Sequence, residues 1–216
     1  MNETDWKTSE DLLADGVADL AVSVSVRAQK DMIRYLQELA AWNRSYNLTA
    51  IREPAQMVVK HLLDSLAVLP YVGEGRSLLD VGTGAGLPGL VLGMCLPRLD
   101  VTVLDSNGKK AAFLRHCVRS LDLKNVQVAQ TRVEDYRPQS GFATVISRAF
   151  AALDEFTASA GHCCADDGQM LAMLGMRPDE AVLNAVSGFS LQRLEPLTVP
   201  GLAAERHVAV LSRSLI

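Results

Sequence analysis

The sequence predicts a mixed α/β fold, in which a mostly parallel sheet is preceded by a helical N-terminal extension. From residue 77 onward, short apolar runs alternate with helix-length segments. This alternation is typical of parallel strands whose sheet is covered by helices on both faces. A glycine-rich turn follows the first apolar run, and before residue 70 the apolar side chains recur at helical spacing instead.

At roughly 150 residues per domain, the length allows between one and two domains, but no repeat or long linker divides the sequence. A chain of 216 residues can bury about 70% of its unfolded surface, so it needs neither disulfides nor a structural metal. Apolar residues make up 49% of the chain, which excludes a largely disordered protein. We predict a single domain over residues 1–216, with the helical extension at 1–70 and the α/β core at 71–216.

Several classes of protein are excluded by local composition. The longest apolar run, residues 90–96, is too short to cross a bilayer, and the acidic N-terminus does not resemble a targeting peptide. The four cysteines lack the spacing of metal ligands. We therefore expect a cytoplasmic protein with reduced thiols, no metal site and no membrane partner.

Two helices are predicted before residue 70. The first covers residues 26–46, where one face collects the apolar side chains Val26, Ile33, Leu36, Leu39, Ala40 and Trp42. The second begins at Pro54, since proline suits the first turn of a helix. It runs to about residue 69, where Pro70 and Gly73 end it.

The core is predicted as alternating strands and helices. Apolar runs predict strands at 77–81, 101–104, 126–129, 142–146, 169–174, 191–199 and 207–211. Between them, helices are predicted at 86–96, 108–121, 153–164 and, weakly, 178–186. Because no full helix separates the last two strands, we expect an antiparallel pair at one edge of the sheet.

The first strand of the core carries the most informative motif. It contains Asp80 and runs into Gly82, Gly84 and Gly86. Such a turn lies at the carboxyl edge of a parallel sheet, where ligands bind, and glycine lets a ligand approach the backbone closely. A tight turn without a ligand is the alternative, which the three alternating glycines disfavour.

Two classes of ligand compete for this loop. The letters Gly84-x-Gly86-x-x-Gly89 match a dinucleotide fingerprint, but they begin too far after the strand and include Pro88. In addition, the carboxylate of Asp80 would repel a pyrophosphate on the helix N-terminus. It would suit a cationic, phosphate-free cofactor such as S-adenosylmethionine. Asp105 ends the next strand, where an acid accepts hydrogen bonds from a ribose.

The net charge of -4 conceals two basic stretches. Residues 1–20 carry a net charge of -5, whereas residues 21–60 carry +3 and residues 106–150 carry +5. Basic stretches favour polyanions such as RNA, although solvated helix faces are an equally ordinary explanation.

Short sequence blocks outside the glycine loop indicate which protein family the sequence resembles. The sequence from about residue 30 to 213 resembles the bacterial ribosomal RNA small-subunit methyltransferase G (glucose-inhibited division protein B) family. The resemblance rests on seven blocks: Trp42-Asn43-Arg44-Ser45-Tyr46-Asn47-Leu48-Thr49, Lys60-His61-Leu62-Leu63-Asp64-Ser65, Asp105-Ser106, Lys109-Lys110, Phe113-Leu114, Ile146-Ser147-Arg148-Ala149-Phe150 and Glu205-Arg206-His207. It implies a class I S-adenosylmethionine-dependent methyltransferase (Rossmann-like) sheet and methyl transfer to N7 of a guanine in 16S ribosomal RNA.

The resemblance also implies site residues. It places Gly82, Leu87, Val133, Glu134 and Arg148 at the S-adenosylmethionine site, with Arg148 as the catalytic candidate. The wider class I pattern adds three cofactor-binding residues, which are Asp80, Gly84 and Asp105. Weaker candidates contact RNA: Arg44, Asn47, Lys60, His61, Arg206 and His207.

The expected partner is 16S ribosomal RNA, within a small ribosomal subunit or its assembly intermediate. We expect no DNA partner, and we expect the enzyme to be a monomer.

Two positions depart from the family pattern: Leu174-Gly175 stands where the family often has Lys-Gly, and Ala143 stands where it often has an acid near the site. A nicotinamide-dependent oxidoreductase and a non-catalytic RNA-binding factor remain as alternatives.

Overall fold

Seven strands build the sheet. The computed structural model describes residues 3–73, 75–148, 150, 152–179, 186 and 188–214. Within them the strands are β1 Ser77–Val81, β2 Asp100–Leu104, β3 Val126–Ala129, β4 Phe142–Ser147, β5 Cys164–Leu174, β6 Phe189–Pro196 and β7 His207–Arg213. Their order in the sheet is β3-β2-β1-β4-β5-β7-β6.

The strand directions confirm the predicted α/β sheet with an antiparallel edge. Strands β1 to β5 pair in parallel, whereas β7 is antiparallel to both β5 and β6. Leu174, the last residue of β5, lies opposite His207, the first residue of β7. The start of β7 therefore lies at the same edge as the carboxyl ends of the parallel strands.

The α-helices pack on both faces of this sheet. They are α1 Glu3–Asp19, α2 Val26–Tyr46, α3 Pro54–Met57, α4 Asp64–Leu66, α5 Gly89–Cys95, α6 Gly108–Ser120 and α7 Leu153–Ala160. Helix α2 has the predicted bounds because both ends are capped: the Ser25 hydroxyl accepts from the Ala28 N–H, and Asn47 turns left-handed with φ of 49°. Among the described residues, no helix combines the length and hydropathy that crossing a bilayer requires.

The helix predicted at 54–69 contains an unpredicted π-helical turn. Helix α3 begins at Pro54, and the Glu53 carboxylate caps it by accepting from the Ala55 and Gln56 N–H groups. A π-helical turn, Val58–Leu63, then joins α3 to α4. Such wide turns are rare, and they are found frequently at functional sites.

Other boundaries also differ from the sequence prediction, among them that of β6, which was predicted at 191–199 and covers Phe189–Pro196. Helix α5 begins at Gly89 rather than at residue 86, because residues 82–88 form the loop after β1. Strand β5 begins at Cys164, inside the segment predicted as helix. The predicted helix at 178–186 lies largely outside the described residues.

The core supports the proposal that the extension and the sheet belong to one domain. Leu36 of α2 and Leu62 of the π-helical turn share one buried cluster with Leu78 and Val103 of the sheet. A second cluster, which includes Leu79 and Phe156, fills the space under the opposite face. Burying apolar surface on both faces is the main stabilising contribution to such a sheet.

Candidate functional site

The candidate site lies at the carboxyl edge of the sheet, where β1, β2 and β4 end side by side. The glycine loop after β1 adopts left-handed backbone at all three predicted glycines, with φ of 66° at Gly82, 62° at Gly84 and 100° at Gly86. These values favour glycine strongly over residues with a Cβ atom. A Cβ on Gly86 would lie 2.4 Å from Leu90 Cδ1, so the loop also packs tightly on α5.

Asp80 holds this loop from beneath. Its side chain is 1% exposed, and Oδ2 accepts hydrogen bonds from the Thr83 hydroxyl and, at 2.7 Å, from the Gly89 N–H. The other oxygen, Oδ1, is buried and has no hydrogen-bond partner among the described residues. Burial raises the pKa of this carboxyl to about 7, although the bonds from Thr83 and Gly89 oppose the rise.

Asp105 ties the end of β2 to the same loop. Its Oδ2 accepts from the Gly84 N–H at 3.0 Å, and its Oδ1 accepts from the Asn107 N–H at 2.8 Å. The Lys110 ammonium also donates to Oδ2, at 3.3 Å. The carboxylate therefore lies against the glycine loop, as the predicted ribose contact requires.

The N-terminal extension reaches the loop through Tyr35. This fully buried side chain of α2 donates a hydrogen bond from its hydroxyl to the Ala85 carbonyl at 2.8 Å. Burial, the largest cause, raises its pKa well above the ordinary value, so the hydroxyl remains a donor at neutral pH. No sequence pattern marks this residue, because nothing in a helical stripe distinguishes a loop contact from core packing.

The other predicted cofactor residues surround the loop. Leu87 lies in the loop and is buried. Val133 and Glu134 form a 3₁₀ turn after β3, the strand next to β2, with Val133 buried and Glu134 exposed. Apart from Asp80, which belongs to β1, the predicted cofactor residues therefore lie on loops that follow neighbouring strands.

Arg148 joins the site from the end of β4. The preceding residue, Ser147, donates a hydrogen bond to the Val81 carbonyl at 2.8 Å, which fixes the end of β4 beside the glycine loop. The Arg148 Nη1 group donates to the Lys60 carbonyl at 3.2 Å and to Asp64 Oδ2 at 2.8 Å. Arg206 donates from Nε to the other oxygen of Asp64, at 2.7 Å.

These groups line a cleft of about 340 Å³ that extends from Arg148 toward β5 and β7. Its lining residues are Ile51, Lys60, His61, Asp64, Arg148, Met173, Leu174, Gly175 and Arg206. Three basic side chains and one acidic side chain give it a positive charge. The structure thus brings together four of the predicted RNA and catalytic residues: Lys60, His61, Arg148 and Arg206.

His61 is buried at 5% exposure. Its Nε2 lies 3.1 Å from the Thr49 hydroxyl oxygen, whereas its Nδ1 has no partner among the described residues. Burial and the nearby Arg148 charge lower its pKa from 6.5 to about 4. The imidazole is therefore neutral at physiological pH and adds no charge to the cleft.

The remaining predicted RNA residues lie apart from the cleft or are shielded. Arg44 and Asn47 are exposed at the end of α2, and Asn47 accepts a hydrogen bond from Arg52 at 3.3 Å. His207 is only 9% exposed. Trp42, on the apolar face predicted for residues 26–46, packs on Phe113, with ring centroids 5.6 Å apart.

The departure at Ala143 does not remove a group from this site, contrary to the sequence interpretation. Ala143 lies near the start of β4, where its N–H donates to the Ser77 hydroxyl at 3.1 Å. At about 3.3 Å per residue, it is about 13 Å along the strand from Ser147. Leu174, in contrast, ends β5 and lines the cleft, so that departure does change the site.

Asp64 is the most important residue that the sequence analysis did not single out. It lies in the same block as Lys60 and His61, and the i, i+4 spacing of Lys60 and Asp64 is a signal for a shared helix face. What no sequence pattern indicated is that one carboxylate would hold two arginines from distant strands.

Comparison with known proteins gives a consistent family match. The family model described as rRNA small subunit methyltransferase G (GidB) matches residues 28–209. The chain is 45% identical over 209 residues to a ribosomal RNA small subunit methyltransferase G from Nitrosospira multiformis, covering 94% of this chain and 96% of that protein. It is 48% identical over 196 residues to the protein of the same name from Alkalilimnicola ehrlichii, covering 91% and 89%.

Solved structures share the fold. TrmN from Thermus thermophilus superposes with a TM-score of 0.57 at 20% identity, over 69% of this chain and 48% of that chain. An S-adenosylmethionine-dependent methyltransferase from Aquifex aeolicus gives a TM-score of 0.56 at 18% identity, over 73% and 93%. At such identities the similarity shows the fold alone.

Proposed function

The chain belongs to the rRNA small subunit methyltransferase G family, and from that premise we propose that it transfers a methyl group from S-adenosylmethionine to N7 of a guanine in 16S ribosomal RNA. The observation that carries the proposal is the pairing of a left-handed glycine loop with two carboxylates, Asp80 and Asp105, that bond to it. A carboxylate beneath the loop suits a cationic cofactor better than a pyrophosphate.

The residues present fit this cofactor. Gly82 is exposed, and no atom lies closer than 4.0 Å to a Cβ built on Gly84, so a ligand can approach the loop backbone. Asp80 Oδ1 is a buried acceptor that still lacks a donor among the described residues. Such a group is costly unless something bonds to it, and a bound cation or ordered water would supply that donor.

We assign the cofactor contacts by position. Gly82, Gly84 and Leu87 lie along the bound cofactor, Asp105 accepts from its ribose hydroxyls, and the turn at Val133 and Glu134 borders its adenine. Asp80 acts on the cofactor mainly through the loop that it holds. Arg148 lies between the loop and the cleft, and it is the residue placed to touch both cofactor and RNA.

The methyl transfer requires little acid–base catalysis from the protein. When bound, S-adenosylmethionine supplies an electrophilic methyl group. Guanine N7 has an in-plane lone pair and no hydrogen, so no base has to remove a proton before attack. The chain therefore contributes alignment of the base and electrostatic complementarity, which agrees with a site built from arginines and carboxylates.

The substrate side is assigned to the positive cleft and its surroundings. Lys60, Arg148 and Arg206 line the cleft, and the exposed Arg44 and Asn47 extend the RNA surface along the end of α2. His61 and His207 are too buried for direct contact, so we assign them supporting positions. The substrate form is the small ribosomal subunit or its assembly intermediate, acted on in the cytoplasm by a monomeric enzyme.

The proposal is tested by incubating the protein with labelled S-adenosylmethionine and small subunits from a strain that lacks it. We expect labelled 16S RNA with the wild type and at least a hundredfold slower labelling with Arg148→Ala. Subunits from the parent strain, already modified, serve as the control acceptor. An absence of label in every RNA would contradict the proposal, and NADH binding by fluorescence would then favour an oxidoreductase.

A further inference from the structure

Asp64 is the only described acid that lines the positive cleft. Its side chain is 2% exposed, and each of its oxygens serves a different arginine: Oδ2 accepts from Arg148 at 2.8 Å and Oδ1 from Arg206 at 2.7 Å. The two arginines are 58 positions apart in the sequence. One follows β4 beside the glycine loop, and the other precedes β7.

Both arginines keep donors for a ligand. Arg148 uses only Nη1, which it shares between Asp64 and the Lys60 carbonyl. Arg206 uses Nε on Asp64 and Nη1 on the Glu205 carbonyl. Among the described residues, the Nη2 group of each arginine is therefore unbonded, and the side chains are 29% and 25% exposed.

The local backbone explains why the carboxylate reaches both partners. Asp64 begins α4 directly after the π-helical turn, and its own N–H bonds back to the His61 and Val59 carbonyls. The Lys60 carbonyl, which belongs to the wide turn, remains available to Arg148. The π-helical turn and the residue that follows it thus supply two acceptors for the same guanidinium, the Lys60 carbonyl and the Asp64 carboxylate.

We propose that Asp64 is a positioning residue that aligns Arg148, on the cofactor side, with Arg206, on the RNA side, across this cleft. Without the carboxylate, two like charges would face each other, and each long side chain would regain its rotamer freedom. A fixed guanidinium loses less entropy when it binds a base or phosphate. The inference rests on the proposed function, because it assigns Asp64 a role in that same transfer.

The test compares Asp64→Asn, Arg206→Gln and the double variant in the transfer assay, with cofactor saturating and small subunits varied. We expect each single variant to lower kcat/KM for subunits at least tenfold. In the double variant, kcat/KM for subunits should be less than threefold below that of Asp64→Asn alone, since Arg206 is already misaligned when the carboxylate is absent. Calorimetry should also show weaker cofactor binding for Asp64→Asn, through Arg148, but unchanged cofactor binding for Arg206→Gln.

A matched control exists at the opposite edge of the sheet. Asp31 of α2 is also held by two arginines, Arg27 at 3.7 Å and Arg34 at 3.5 Å, and is 16% exposed. Arg34 also bonds to the carbonyl of Ser120 at the far end of α6, about 18 Å along that helix from its start beside Asp105. Asp31→Asn should therefore change kcat/KM less than twofold.

A second variant covers the case in which Asp64→Asn does not fold. Asp64→Glu keeps the buried charge but moves the carboxylate outward, so it should fold with a melting temperature near wild type and still transfer at least fivefold more slowly. The inference is overturned if Asp64→Glu transfers at the wild-type rate, or if the costs of Asp64→Asn and Arg206→Gln simply multiply. A wild type that labels no RNA would instead reject the proposed function.

Discussion

At the scale of single residues, the proposed cofactor site depends on carboxylates that bond to the loop and that we assign to the ligand as well. Asp105 accepts from the Gly84 and Asn107 N–H groups, and its remaining acceptor capacity is the part assigned to the ribose. Its charge is partly balanced by Lys110 at 3.3 Å. Replacing the carboxylate therefore disturbs both the loop and the predicted ligand contact.

We expect Asp105→Asn to weaken S-adenosylmethionine binding by about tenfold or more, because hydrogen bonds to a charged acceptor are worth about 1.5–3 kcal/mol. Calorimetry gives the dissociation constant directly. Asp100→Asn is the matched control, since that acid is exposed at the other end of the same strand. Equal affinity for the wild type and Asp105→Asn would reject the ribose assignment.

The buried histidine makes the stability of the protein depend on pH. The pKa of His61 is about 4 in the folded state against 6.5 unfolded, so between these values the unfolded chain binds more protons. Stability must therefore fall as pH falls through this window, by up to about 3 kcal/mol. The raised pKa of Asp80 acts in the opposite direction.

The effect of His61 is isolated by comparison with His61→Asn. Between pH 7 and pH 4, we expect the free energy of unfolding of the wild type to decrease by about 3 kcal/mol more than that of the variant. Asp80 contributes equally to both proteins and cancels from the difference. Urea unfolding at a series of pH values measures this difference. If the free energies of unfolding of the wild type and the variant changed with pH in parallel, His61 would not be buried as a neutral group.

Residue roles were predictable only where a motif carried them. The loop glycines, Asp80 and Asp105 follow from the strand–turn–helix pattern, and Arg148 follows from a family resemblance. Asp64 bonds to the Arg148 side chain, 84 positions away in the sequence, and Tyr35 bonds to the Ala85 backbone carbonyl, 50 positions away. Contacts at such separations depend on tertiary packing, which periodicity does not report.

At the scale of elements, the N-terminal extension supports the cofactor loop. Helix α2 lies against α5 and α6, and its Tyr35 hydroxyl is bonded to the loop carbonyl of Ala85. The extension therefore contacts the candidate site and also contributes to the core. Truncating it would expose both the buried cluster and the loop.

Tyr35→Phe tests this link with the smallest change. The ring remains, but the Ala85 carbonyl loses its buried donor, which costs about 1–3 kcal/mol. We expect lower stability together with weaker cofactor binding, measured by thermal unfolding and calorimetry. Tyr46→Phe is the control, because that ring is 45% exposed on the same helix; equal effects of the two variants would argue against the loop contact.

Most elements were predictable because strands and helices differ in apolar period. Ser77–Val81, Val126–Ala129 and Val26–Tyr46 have the predicted bounds. Helix α1 was not predicted, although Ser9, Leu13 and Val17 bury one face at helical spacing, because acidic residues between them leave only a narrow apolar stripe. The π-helical turn could not be predicted, because its apolar pattern is that of an ordinary helix.

At the scale of the whole molecule, net charge is a poor guide to partners. The chain carries -4, yet the first 20 residues alone contribute -5. Most of these acids lie on α1, while Lys60, Arg148 and Arg206 line one cleft at the sheet edge. Because charges separated by more than about 8–10 Å are screened, the local sign decides what binds there.

This distribution predicts a salt dependence. If the cleft arginines, Lys60 and Arg44 contact about four phosphates, the logarithm of the affinity for small subunits should fall with the logarithm of salt concentration with a slope of about -3. The affinity for S-adenosylmethionine, which carries no phosphate, should change little over the same range. A flat response for small subunits would reject the assignment of this surface to RNA.

The central claim is that this protein methylates N7 of a guanine in 16S ribosomal RNA. The most direct measurement is mass-spectrometric mapping of 16S RNA from cells with the protein, from cells without it, and from small subunits of the latter after treatment with protein and S-adenosylmethionine. The account predicts one 7-methylguanosine that is lost with the protein and restored by it. An identical set of modified nucleotides in all three samples, or restoration of a methyl group at another atom, would contradict it.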